Sequence, residues 1–411
     1  MERSDLLNDA ERQLWDAFPR GMMVDLGDGD PTAEHFDSDS WSEDRQVRGQ
    51  VIARLLLGLR EGEAGYVPGV MLAGARIVGE FDISGGQAEH QLVLSRCWVD
   101  APLTFTGASS GPTTFYRTRL RGFTGSDWQV RGSASFYKTQ CRGELVLTGA
   151  NIDGLLAFAG ATLTNPNGNA LSADGLTVGR SMVCGEGLTA AGEVSLLAAH
   201  IAGVVDFSGA TLTNPDGRAL AADMLTVGQG MVCGEGFTTT GEVCLRGAHI
   251  GGVLNFTGAT LTNPNGNALI AGWLTVKHGM VCGEGFTAAG EVSLHAARIG
   301  GVLNFTGATL TNPNGRALTA DGFIVDESMV CGEGFTAAGE VSLLAARIGG
   351  VLDFTGATLT NPDGRALSGD RLTVTHGMAC IRGFAATGEV RLLGAHIGGL
   401  SWSRNSRRQR G

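Results

Sequence analysis

The chain has 411 residues, 65 of them glycine, with 43% apolar and 17% charged residues and a formal charge of −11. The apolar share excludes a disordered chain, no run of 18 apolar residues exists to span a bilayer as a helix, and abundant glycine without a collagen triplet points to many tight turns between short strands. Residues 1–64 hold 15 acids against 7 arginines, and Arg404, Arg407, Arg408 and Arg410 make the last ten residues basic, which leaves only about −7 for the long middle. The charge therefore shows neither the basic stripe of a nucleic-acid binder nor the dense acidic face of a DNA mimic.

The opening Met1-Glu2-Arg3-Ser4-Asp5 lacks the basic-then-apolar layout of a secretory signal. Ser4 is placed to cap a helix with Leu6, Leu7, Ala10, Leu14 and Phe18 inward, closed by Pro19. After an acidic loop with Gly and Pro, Ser42 is placed to cap a second helix with Val47, Val51, Ile52, Leu55, Leu56 and Leu59 inward. Such a region, 1–64, is expected to cover the open strand edge of whatever follows.

From Gly65 a beat of two-apart apolar pairs begins: Val70/Leu72, Ala75/Ile77 and Phe81/Ile83, then Leu103/Phe105, Phe115, Leu120, Phe136 and Leu145/Leu147 less regularly. From residue 143 to 400 the beat becomes a 49-residue repeat. Its copies open at Gly143-Glu144, Gly192-Glu193, Gly241-Glu242, Gly290-Glu291, Gly339-Glu340 and Gly388-Glu389. In the fourth copy the pairs are Val292/Leu294, Ala297/Ile299, Leu303/Phe305 and Ala308/Leu310, then Leu318/Ala320, Phe323/Val325, Met329/Cys331 and Phe335/Ala337. Two-apart residues share one side of an extended segment, so eight short faces per copy predict two coils of four faces. The spacing misses the 3.6 period, and glycine recurs too often for helices. Short strands of this kind bury their apolar side only by coiling and stacking, which gives about 14 coils at the usual strand spacing. The organisation read from sequence is a helical cap region at 1–64, degenerate coils at 65–142, regular repeats at 143–400 and a basic disordered tail at 401–411.

The five-residue Ala-x-Leu and Ala-x-Ile beat resembles pentapeptide-repeat proteins. That resemblance implies an all-β, right-handed quadrilateral parallel β-helix, and it covers about four-fifths of the chain. The runs Val24-Asp25-Leu26-Gly27-Asp28-Gly29-Asp30, Arg45-Gln46-Val47-Arg48-Gly49-Gln50-Val51-Ile52-Ala53-Arg54-Leu55-Leu56-Leu57 and Leu72-Ala73-Gly74-Ala75-Arg76-Ile77 are similar to a family of high-GC bacterial repeat proteins. Its members are commonly labelled membrane-associated oxidoreductases and continue into a charged helical stretch and a hydrophobic C-terminal segment. Here the pattern breaks at Leu400-Ser401-Trp402-Ser403. Truncation or a frameshift is the first reading of that break, and homodimerisation through the last coil is the second.

Candidate chemistry is sparse. Gly185-Glu186-Gly187 and Gly283-Glu284-Gly285 lack the third glycine of a dinucleotide fingerprint and recur as corner turns would. The ladder Glu144, Glu193, Glu242, Glu291, Glu340 and Glu389 would set carboxylates about 9.6 Å apart, two coils along. That overlaps the separation of an inverting glycosidase, but a solvated residue beside a corner glycine explains it better. Met231-Val232-Cys233 and its equivalents could hold a soft metal, yet their sulfurs follow the core pairs, so packing explains them. Cys184, Cys233, Cys282, Cys331 and Cys380 recur singly, as reduced thiols would. His200, His249 and His396 share a slot with Arg298 and Arg347, and His278 and His376 share one with Gln229 and Glu327. Slots that exchange these residues read as outward and solvated. Five Asn-Pro-Asn/Asp-Gly turns, opening at Asn165, Asn214, Asn263, Asn312 and Asn361, are expected to line one edge, with the Asn/Asp-Gly step at positive φ.

No catalytic, cofactor-binding or metal residue is assigned from this sequence, and no cofactor is expected. The expected function is a non-enzymatic scaffold that presents repeated surfaces to a protein partner, in the cytoplasm or peripherally at a membrane. The resemblances imply two other readings: an oxidoreductase or a subunit of one, and a DNA-mimicking gyrase binder.

Overall fold

The computed structural model describes residues 1–33 and 41–402. The rest of the acidic loop, 34–40, and residues 403–411 of the expected tail lie outside the described residues, while Ser401 and Trp402, also expected in that tail, belong to a strand that pairs with Ala379 and Cys380. The protein is an all-β parallel β-solenoid of about 14 turns with two short N-terminal helices, consistent with a right-handed parallel β-helix. Two compact units divide it, Met1–Gly203 and Val204–Gly411.

Between Gly69 and Ile152 each turn lays one short strand on each of four faces. Gln91–Ser95, Trp98–Val99, Leu103–Thr104 and Ser109–Ser110 form one such turn. The next turn begins at Thr113, paired in parallel with Leu92. Corners take left-handed backbone, at Arg96 before face 2 and at Gly107 before face 4. The inward residues stack as columns. Phe115, Phe136 and Phe158 on face 1 lie fully buried and stacked, with successive ring centroids 5.2 Å apart. Each buried side chain of this size contributes roughly 1.5–3 kcal/mol.

The N-terminal region differs from the sequence expectation. Asn8, not Ser4, caps α1 (Asp9–Ala17): its side chain accepts from the Glu11 amide at 2.9 Å, while Ser4 sits in a separate 3-10 turn. The Asn8 amide group also donates to the Gln46 carbonyl at 2.8 Å, so one side chain both caps the helix and ties it to the strand that follows. Leu6, Ala10, Leu14 and Phe18 are buried as expected, but Leu7 is 70% exposed.

Val47 lies not in a helix but in a strand. Ser42 precedes a 3-10 turn, Glu43–Arg45, and the chain then extends through Gln46–Arg48, which pairs with Arg76–Val78 on face 2. The helix α2 starts only at Gly49 (Gly49–Arg54), where a Cβ would meet the Glu80 carbonyl oxygen at 2.5 Å. Of its expected inward residues, Val51, Ile52, Leu55 and Leu56 are buried and Leu59 is half-buried. Met23–Asp25 likewise pairs with Met71–Ala73 on face 1. The open edge of the first coil is thus covered by two strands, with α1 packed behind them. Glu11, 1% exposed, locks this arrangement by accepting from the Arg48 guanidinium at 2.7 Å and from the Arg48 amide at 3.1 Å.

In the second unit the 49-residue repeat resolves into alternating coils of 26 and 23 residues, as the pairings Val205↔Met231 and Met231↔Leu254 show. All sixteen residues of the eight pairs read from the fourth copy are buried. Face 1 alternates Leu254, Met280, Leu303, Met329, Leu352 and Met378 along one interior column. The longer coil holds its extra residues in the Asn-Pro loop, inserted within an 11-residue strand such as Thr260–Ile270. Across this loop the pairing jumps from Thr262↔Ala289 to Asn267↔Glu291.

Candidate functional site

The Asn-Pro loops are the most regular projecting feature. In every copy the Asn side chain donates across its loop to the carbonyl four residues on, at 2.8 Å: Asn165 to Asn169, Asn214 to Arg218, Asn263 to Asn267, Asn312 to Arg316 and Asn361 to Arg365. The expectation of positive φ at the Asn/Asp-Gly step is not met. Gly168, Gly217, Gly266, Gly315 and Gly364 are not left-handed. They are glycine because a Cβ would approach that Asn side-chain nitrogen to 2.8–3.1 Å. The left-handed residue is the corner glycine that opens the next copy.

The Glu ladder follows these glycines: Glu144 and Glu389 are exposed, as expected, whereas Glu193, Glu242, Glu291 and Glu340 are half-buried. Glu242 and Glu340 are each 19% exposed and pair with the arginine that ends the preceding loop, Arg218 at 3.6 Å and Arg316 at 3.5 Å. Glu389 pairs with Arg365 at 3.2 Å. Glu144 and Glu340 also accept from the hydroxyls of Ser172 and Ser368. Glu242, Glu340 and Glu389 are thus each tied to the loop before them. In the second unit, polar grooves open between successive loops. One, of about 390 Å³, has Glu242 and Arg218 in its floor, and another, of about 860 Å³, has Glu340, Arg316 and Arg365.

The Gly-x-Gly segments are corner turns, with Glu186 at φ 53° and Gly187 at φ 86°, followed by a strand (Thr189–Ser195) and no helix. All eight cysteines are buried and free. Burial pushes the Cys97, Cys141, Cys244 and Cys380 thiols up to about 12, and those of Cys282 and Cys331 also rise. Such thiols are poor nucleophiles and poor metal ligands. Among the described residues no group of three or more His, Cys, Asp and Glu is placed to hold a metal. His200, His249, His278, His376 and His396 are exposed. The His249 ring lies 2.9 Å from the carbonyl of Gly247, two residues back.

Sequence reasoning passed over one place. A groove of about 510 Å³ runs along face 4 of the second unit, with His249, Lys277 and Arg298 on its rim. Nearby, Trp273 is 62% exposed at a left-handed corner. Both slots vary among the copies: Trp273 stands where the others hold Gly175, Met224, Gly322 and Arg371, and Lys277 where they hold Gly179, Gly228, Asp326 and Thr375.

Comparisons of the chain with protein-family models, curated proteins and solved structures return no match. Among the described residues no helix is long and apolar enough to cross a membrane.

Proposed function

We propose that the protein is a non-enzymatic β-solenoid scaffold that presents repeated surfaces to a protein partner. The observation that carries this reading is the set of Asn-Pro loops in the second unit. Their internal hydrogen bonds are identical, they recur every second coil, and they frame polar grooves floored by Arg–Glu pairs. The coil interior is filled by apolar side chains, and the charged groups lie outside it in small local pairs. That division suits multivalent docking, in which equally spaced weak contacts add through effective concentration.

Affinity capture with the full chain tests the reading, comparing wild type with a triple variant, Arg218→Glu, Arg316→Glu and Arg365→Glu. A defined partner held by wild type and released by the variant supports it. Equal retention by both, or turnover by the purified protein, overturns it. The oxidoreductase implied by the family resemblance would show flavin or nicotinamide absorbance in the purified protein. The gyrase binder implied by the pentapeptide likeness would inhibit supercoiling.

A further inference from the structure

Several arginines of the early coils sit beside acids. Arg76 is held by Asp100 at 2.8 Å, Arg96 by Asp25 at 2.9 Å and Arg117 by Asp30 at 3.5 Å. Arg119, Arg121 and Arg142 form no ion pair among the described residues, although they lie next to one another. Arg119 pairs with Trp98 on one side and with Gln140 on the other, within face 2. Leu120 pairs with Cys141, so Arg121 and Arg142 follow on neighbouring coils, about 4.8 Å apart along the backbone. The corner keeps that approach close: a Cβ at Gly143 would stand 2.4 Å from the Arg121 carbonyl oxygen. Like charges set directly opposite each other destabilise a sheet. This chain, at −11 overall, has ample acid with which to neutralise them and does not place it there.

The three arginines line a groove of about 410 Å³ together with Trp98, Val99 and Pro102. Arg119 is half-buried, and its guanidinium lies over the Trp98 indole, 4.3 Å from the ring centroid. A planar guanidinium stacked on an aromatic face is held in place and still donates through its edge. Burial, and then the charges of Arg142 and Arg121, push the Arg119 guanidinium below its ordinary range. Arg121 and Arg142 are exposed, so an anion reaches them from solvent. The patch is short: Gln140 and Thr162 continue the face 2 column past Arg119, and Thr164 pairs with Arg142. A strand of nucleic acid needs a longer basic track, so the patch suits a small ligand.

We propose that this groove binds a phosphate group, free or carried as a monoester on a small molecule, with its oxygens shared among Arg119, Arg121 and Arg142. One guanidinium fork satisfies a carboxylate, whereas a phosphate offers a further acceptor oxygen and a charge of about −1.5 to −2 at neutral pH. Val99 and Pro102 supply an apolar wall for the carbon skeleton of an ester. Apolar walls with a few convergent polar groups are the usual make-up of a ligand site. No residue of the Asn-Pro loops takes part, so the proposal stands or falls apart from the scaffold reading.

Calorimetric titration of the full chain, at an ionic strength fixed with sodium chloride, tests it with three probes: inorganic phosphate, glycerol 1-phosphate and succinate. At least one of the phosphates saturates the site below about 10 mM, and succinate binds more weakly. Tighter binding of glycerol 1-phosphate than of inorganic phosphate identifies an organic phosphate, and equal or weaker binding identifies the free ion. Arg121→Gln and Arg142→Gln each weaken binding by about tenfold, the order of one charge-assisted hydrogen bond. Thermal denaturation separates binding from a merely structural role. In chloride alone both variants melt no lower than wild type, because a like-charge contact is relieved, and added phosphate raises the wild-type midpoint more than that of either variant. Failure of both phosphates to saturate by about 10 mM, succinate binding as tightly as the phosphates, or wild-type affinity in both variants overturns the proposal.

Discussion

Gly290 lies beneath the main-chain carbonyl of Asn263, so close that a Cβ at 290 would stand 2.3 Å from that oxygen. The same contact recurs between Gly192 and Asn165, Gly241 and Asn214, Gly339 and Asn312, and Gly388 and Asn361, each glycine at φ 114–120°. Two signatures of the repeat, the opening glycine of one copy and the Asn-Pro loop of the copy before it, are therefore one structural unit.

Gly290→Ala meets both a forbidden backbone region and a main-chain clash, and it costs about 2–3 kcal/mol. Hydrogen exchange reads the effect locally: amides of Thr260–Ile270 and Thr287–Ser293 lose protection while distant coils keep theirs.

Leu303→Asp places a carboxylate in the interior column between Met280 and Met329, where the native side chain is fully buried. The lost burial and the unpaired charge together exceed about 3 kcal/mol. Limited proteolysis should cut the variant in the adjoining coils under conditions in which the parent chain is intact.

Burial alone would raise the Glu11 carboxyl, but hydrogen bonds from Arg48 and from the Leu7 and Arg48 amides hold it below the ordinary range. A depressed folded value makes its contribution fully present above the unfolded carboxylate pKa of about 4.3, and that contribution is lost as pH falls through the folded value. Acid unfolding of the N-terminal region should therefore begin below about pH 4. Glu11→Gln should remove that acid step and lower stability at neutral pH by about 2 kcal/mol. Tryptophan fluorescence against pH, for both proteins, checks this.

The cysteines should be silent in the native protein. With thiols pushed to about 12 at Cys97, Cys141, Cys244 and Cys380, an aromatic disulfide reagent at pH 8 should label none of the eight within minutes, and all eight after denaturation. Fast labelling of one in the folded state would contradict its burial.

The coils were legible because a two-apart apolar pair has only one way to turn inward on a strand, and the repeat states that pair many times over. Val24 and Val47 escaped notice as strand residues because each is the single inward side chain of a three-residue strand. One residue carries no period. The helix cap moved from Ser4 to Asn8 for a tertiary reason, its second bond to Gln46, which no local pattern encodes. The setting of the Glu ladder was hidden in the same way, since Arg218 and Glu242 meet only because a coil of chain returns between them.

The alternation of 26- and 23-residue coils limits how such a gene can change length. Removing a single 23-residue coil would bring one Asn-Pro loop against another, with no glycine to receive the Asn carbonyl. Removing or adding two coils leaves every loop above its own glycine. Relatives with longer or shorter arrays should therefore differ by whole multiples of the 49-residue copy, and recombination between copies would be heritable only at that step.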